Sequence, residues 1–162
     1  MTPDLGIELC DALVTDLNDP AITWVSPFTA ARGFSPRVEA EVLNDTTFVV
    51  AYPAGDRRTL FERGEEWNTQ PTGAITVLRR LPILEGTGID EYEDTALPDE
   101  LMALVGQLKG RFGRKEGYGL ELPDFGQAWA TAVENEPSFL PEYLQKGLFA
   151  SVITVSFQMV RP

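Results

Sequence analysis

Four carboxylates crowd one short stretch, "IDEYEDTALPDE", where Asp90, Glu91, Glu93 and Asp94 fall almost side by side. Paired carboxylates can cleave a glycosidic bond, one as acid and one as base or nucleophile, and clustered oxygens can hold a hard cation. A run of acids among turn residues is more often a solvated loop, and a cation-assisted contact with a partner is the other open reading. The rest of the chemistry is bounded by what the chain lacks. It has no histidine, so it can form no Ser-His or Cys-His couple and no histidine-rich metal site. Its one cysteine, Cys10, can make no internal bridge, and its place among Leu9, Leu13 and Leu17 marks a small buried hydrophobe. "GTG" at Gly86 to Gly88 and "GYG" at Gly117 to Gly119 lack both the spacing of a phosphate loop and the Lys-Ser or Lys-Thr that follows it. No catalytic residue, cofactor or metal site is assigned, and the expectation is a binding or structural protein that is not an enzyme.

The aromatic residues carry a different signal. Trp24, Trp67 and Trp129 read as core or interface aromatics before they read as a ligand platform. Trp67 falls in a polar stretch and is the best candidate anchor, because aromatics carry binding energy where they become buried between subunits.

Composition narrows the partners. The chain has 162 residues and a net charge of -12, from 25 acids against 13 lysines and arginines. That length fits one domain, residues 1–162, which buries roughly two thirds of its unfolded surface without a metal or disulfide. Nucleic acids and anionic membranes are held by clustered Lys and Arg, so the balance argues against both. It does not exclude duplex DNA sliding past an acidic wall that repels it. The first residues carry acids and prolines where a signal peptide would carry bases and an apolar core, and no apolar run is long enough to span a bilayer. The expected setting is a cytoplasm-like compartment.

These residues need elements to position them. "TPDLGIELCDALVTDLNDP" predicts a short amphipathic helix with Thr2 as N-cap, Pro3 in its first turn and a stop at Asn18 to Pro20. "ITWVSPFTAARGFSPR" and "VEAEVL" read as extended, broken by Pro27, Gly33 and Pro36. Thr47 to Tyr52 reads as a strand closed by Pro53, Gly55 and Asp56. Two further strands are expected at Arg57 to Glu62 and Gly73 to Leu81, joined by the polar stretch that holds Trp67. The acidic segment from Pro82 then leads into a helix on which Leu97, Leu101, Leu104, Val105, Leu108 and Phe112 recur at helical spacing. "QAWATAVENEP" alternates Trp129 against Ala128, Ala130 and Ala132, a strand, and "SFLPEYLQKG" reads as a link. In "LFASVITVSFQMVRP", Phe149, Ile153, Val155, Phe157 and Met159 alternate with Ala150, Thr154, Ser156 and Gln158, a half-buried strand. The sum is a single α+β domain whose mostly antiparallel or mixed sheet carries two helices on one face. The other face, expected to show the three alanines or Thr154, Ser156 and Gln158, must be wet or packed on a neighbour.

The segment "ENEPSFLPEYLQKGLFASVITVSFQMVRP", Glu134 to Pro162, resembles the C-terminal signature of a family of small phage and prophage tail proteins. The shared features are the turn at Asn135, Glu136 and Pro137, the step at Pro141, Glu142 and Leu144, and the phenylalanine-led strand from Phe149 to Arg161. "FTAARGFSPRVEAEVLNDTTFVVAYP" is similar to the N-terminal segment of that family through Phe28, Thr29, Ala30, Arg32, Pro36 and Pro53. "GAITVLRRLP" and "LPDELMALVGQLKGRF" agree with it in layout. The likeness runs from Leu13 to Arg161 and is most specific at the C-terminal end. Residues 55–71 and 85–94 depart from the pattern, so no partner contact carries over there.

Such proteins resemble the tail terminators of long-tailed bacteriophages. The resemblance implies a virion structural protein, an α+β subunit that forms a ring, six-fold in most such proteins, on the head-proximal end of the tail tube. Assembled in the host cytoplasm and kept at the tail-neck junction, the ring ends tube growth and supports head-tail joining. Its implied partners are copies of itself, the tail tube protein and a head-tail connector or neck protein. Double-stranded DNA passes through without specific binding, with no cofactor and no membrane. Candidate interface residues are Trp67, Asp90, Glu91, Glu93, Asp94, Trp129, Phe149 and Phe157. A head-closure or other neck connector subunit is the alternative within the same class, and a small ligand-binding protein using the acidic loop is the alternative outside it.

Overall fold

In the computed structural model the described residues are 3–34, 46–60, 67–81, 96–144 and 147–160. Helix α1 covers Leu5–Leu17, and its N-cap is Asp4, whose Oδ1 accepts the Ile7 amide at 3.0 Å. The helix thus starts later than the expected cap at Thr2. A carboxylate at Asp4 both satisfies a free amide and suits the positive end of the helix dipole. Leu5, Leu9, Cys10, Leu13 and Leu17 form its buried stripe. At the other end the Asn18 side chain clasps Ala30, donating from Nδ2 to its carbonyl and accepting its amide at Oδ1. That pair fixes α1 to strand β1, Phe28–Arg32.

The remaining elements are β2 (Thr47–Leu60), β3 (Trp67–Arg80), α2 (Ala96–Phe112), β4 (Gly119–Leu122), β5 (Gly126–Glu134), α3 (Pro141–Leu144) and β6 (Leu148–Val160). They give one six-stranded sheet in the order β1-β2-β3-β6-β5-β4. Only β1 and β2 run parallel, and every other neighbouring pair is antiparallel. The α+β class and the mostly antiparallel, mixed sheet are as expected. The C-terminal strand is the interior strand that joins two halves of the sheet, which accounts for its regular apolar pattern.

Several boundaries differ from the sequence reading. Pro53, Gly55 and Asp56 do not end a strand: β2 runs straight through them, with a register shift between Pro53 and Gly55 and Gly55 at φ 131°. One extra residue is absorbed as a bulge, and glycine alone takes that φ without strain. Trp67 correspondingly opens β3, paired with Leu60 across the ladder, instead of sitting in a loop. Helix α3 was expected as a link, because a single helical turn is too short to show a period.

The main core lies on one face of the sheet. Phe149, Ile153, Val155 and Phe157 of β6 share a face with Ile75 and Val77 of β3 and Val49 and Ala51 of β2. The buried stripes of α1 and of α2, the latter Leu101, Leu104, Val105, Leu108 and Phe112, pack into the same cluster. On the opposite face Val50, Leu78 and Ala150 are buried with Leu140 and Tyr143 packed against them. Two of the three alanines of β5 reverse their expected side, while Ala132, exposed opposite Ser156 past the register shift, keeps it. Ala128 is buried in the core and Ala130 packs against it, while Trp129 between them is 40% exposed. The sequence offers no sign of which face of so weakly apolar a strand is inward. The register with β6 decides it: Ala128 and Ala130 stand opposite Met159 and Phe157, and Trp129 stands opposite Gln158 on the other face.

Candidate functional site

Three places carry polar structure beyond the core. The first ties α1 to α2. Arg111 donates from Nη2 to Asp16 Oδ1 at 2.6 Å and from Nε to Oδ2 at 2.9 Å, and the Tyr118 hydroxyl donates to Oδ2 at 2.5 Å. Burial alone would raise the Asp16 carboxyl, but the bonds from Arg111 and Tyr118 outweigh it and hold its pKa below the usual range. Burial and the same carboxylate push the Tyr118 hydroxyl well up. Arg111 and Arg114 both lie over the Tyr118 ring. A carboxylate held ionised and a phenol held neutral are anchors, not acid-base catalysts near neutral pH.

The second place is the face of the sheet opposite the main core. On β6, Val152, Thr154, Ser156 and Gln158 are half-buried there, beside Thr72 of β3. The β3–β6 ladder stops at Thr72 opposite Ser156, although both strands continue. Next along β3 is Pro71, which has no amide hydrogen to continue a ladder. Past it the strands are bridged by a side-chain bond from Gln70 Nε2 to Gln158 Oε1 at 3.0 Å. Among the described residues, 56–60 and 67–71 therefore form a two-stranded extension whose backbones pair only with each other.

The third place is a groove of about 1050 Å³ between α1 and the β4–β5 turn. Ala12, Val14, Pro20, Leu120 and Pro123 provide apolar lining, and Glu8, Asp11, Asp16, Asp19, Glu121 and Asp124 the charge, with no lysine or arginine among the lining residues described. Asp11 is paired with Arg32 at 2.7 Å and Asp16 with Arg111. Among the described residues the other four acids have no ion-pair partner. Glu8 and Asp124 stand close enough for the Asp124 amide to donate to Glu8 Oε2 at 3.3 Å. A hydrogen bond between their side chains, helped by slight burial, raises the Glu8 pKa above the ordinary carboxyl value.

The residues singled out from the sequence are not brought together. Asp90, Glu91, Glu93 and Asp94 lie outside the described residues, as does "VEAEVL". Trp67 is placed by its backbone at the start of the two-stranded extension. Trp129 is on the sheet face opposite the core, its ring seated against Gly117 and Gly119, where a Cβ on Gly119 would stand 2.9 Å from the indole. Phe149 and Phe157 are 2% and 0% exposed, so they hold the core together and present no surface to a partner. The groove was missed because its acids come from two segments far apart in sequence. Among the described residues no group of His, Cys, Asp and Glu is arranged to hold a metal ion, and no helix is long and apolar enough to cross a membrane. In comparison with known proteins, no family model and no curated protein matches the chain.

Proposed function

We propose that the chain is a structural subunit of a virion and not an enzyme, a tail terminator whose copies form a ring on the head-proximal end of a phage tail tube. The observation that carries the reading is the place of the family-like C-terminal segment in the fold. Asn135 donates from Nδ2 to Ser151 Oγ and to the Val152 carbonyl, and Ser151 Oγ donates to the Ser138 carbonyl. The turn at Asn135 to Pro137 is thereby tied to β6, the strand that joins both halves of the sheet. On that strand's second face the half-buried Val152, Thr154, Ser156 and Gln158 leave a surface able to meet a neighbouring subunit. A ring needs two different patches per subunit, meeting head to tail and closing on themselves. The two-stranded extension supplies a second surface, since a ribbon paired only with itself is marginal until something packs on it.

The test is the mass of the purified protein by light scattering, with negative-stain images of it alone and mixed with tail tubes. A ring, or a cap at one tube end only, supports the reading. A monomer that ignores tube ends overturns it. A cap found instead on the head connector would favour the neck-subunit alternative.

A further inference from the structure

We propose that the groove between α1 and the β4–β5 turn is a docking site for a basic, partly apolar peptide segment of a partner protein. The apolar lining and the charge call for different halves of such a ligand. Ala12 and Val14 are half-buried and offer a surface for aliphatic side chains, with the edge of the buried Leu120 behind them. Above them Glu8, Asp19, Glu121 and Asp124 have no ion-pair partner among the described residues, although the chain pairs the two neighbouring acids, Asp11 and Asp16, with its own arginines. The four, none in an ion pair among the described residues, leave the rim with more acid than the two nearby arginines, Arg32 and Arg111, offset, and charge complementarity selects Lys and Arg side chains.

The Glu8–Asp124 contact points the same way. The Asp124 amide that donates to Glu8 Oε2 brings the Asp124 and Glu8 carboxylates to the same end of the groove, where like charges repel and an incoming ammonium or guanidinium relieves the repulsion. The size of the groove selects a segment over a folded domain. A stable interface between folded proteins takes roughly 20–30 residues a side, more than line this groove. Its volume of about 1050 Å³ is at the upper end of what pockets offer a compact ligand. A short length of chain carrying alternate aliphatic and basic side chains matches both limits.

The probe is a short fluorescent peptide of leucine and lysine, with a leucine and glutamine peptide as its uncharged control, measured by anisotropy against the full chain. Three variants separate the groove from the general negative field. Glu8→Gln, Asp19→Asn, Glu121→Gln and Asp124→Asn together remove the rim. Glu100→Gln, Glu134→Gln, Glu136→Gln and Glu142→Gln remove the same number of exposed charges elsewhere. Thr15→Arg puts a cation into the groove from an exposed position of α1. The expected result is saturable binding of the lysine peptide that weakens with salt, and weakens roughly tenfold both in the rim variant and in Thr15→Arg. The control variant should bind within about twofold of the parent. Equal loss in the control variant, or no saturable binding, overturns the proposal. So does self-association of the chain that the rim variant abolishes, since the occupant would then be a second copy.

Discussion

The Tyr118 hydroxyl and the Asp16 carboxylate meet at 2.5 Å, across 102 positions of sequence, and the tyrosine is only 1% exposed. One short bond therefore links the end of α1 to the chain that leaves α2 for β4. The Tyr118 ring also stands edge-on to Phe112 at 5.1 Å between centroids. Tyr118→Phe keeps that ring packing and removes only the bond to a charged acceptor, a loss of about 1.5–3 kcal/mol. Urea unfolding should show the loss with an unchanged slope, and an unchanged midpoint would mean the bond contributes nothing net.

Stability should fall toward both ends of the pH scale for separable reasons. Asp16 has a lowered pKa in the fold, so its contribution is present above the ordinary Asp value of about 3.9 and is lost as the pH falls through the folded value. Tyr118 has a raised pKa, so its contribution is present below about 10 and is lost as the pH rises. Asp16→Asn should flatten the acid limb of a midpoint-against-pH curve and Tyr118→Phe the alkaline limb. The reverse assignment would show that other groups control those limbs.

Cys10 is fully buried, and burial pushes its thiol up to about 12. A thiol that stays protonated and covered reacts only when the fold opens. A disulfide reagent at mildly alkaline pH should label the unfolded chain at once and the native chain only at the unfolding rate. Rapid labelling of the native protein would place Cys10 at the surface.

Phe157→Ala and Trp129→Ala should separate folding from contact. Phe157 is 0% exposed, and truncating a buried phenylalanine costs about 3–5 kcal/mol, so that variant loses stability before any question of partners arises. Trp129, 40% exposed, should cost far less in unfolding and, on the proposed function, reduce ring formation. A fully stable Phe157→Ala would contradict the packing described.

Gly119→Ala should move an indole more than it destabilises the fold. The added methyl would meet the Trp129 ring at 2.9 to 3.0 Å, and that ring, partly in solvent, can swing away. The expected outcome is an altered tryptophan emission with a stability loss of about 1 kcal/mol or less. Unchanged emission would mean the ring does not rest on Gly119.

Much of this arrangement is local in origin and was legible as such. The stripes Leu9, Leu13, Leu17 and Leu101, Leu104, Leu108 fix α1 and α2 through a helical period, and the alternation from Phe149 to Phe157 fixes β6 through a period of two. Those periods need no knowledge of what lies across from them, so sequence alone determined the two helices, the α+β class and the inward face of the last strand. It also determined that chemistry requiring histidine is absent. Three things were decided only in the tertiary structure. Whether Pro53 to Asp56 ends a strand depends on β3 lying alongside to carry the ladder past the bulge. Which face Trp129 takes depends on its register with β6, which sets it opposite Gln158 while Ala128 and Ala130 stand opposite Met159 and Phe157. The groove exists only because α1 and the β4–β5 turn, more than a hundred residues apart in the chain, bring Glu8 and Asp124 together. Periodicity records each residue's relation to its own element. A site made between elements is recorded only in how those elements pack.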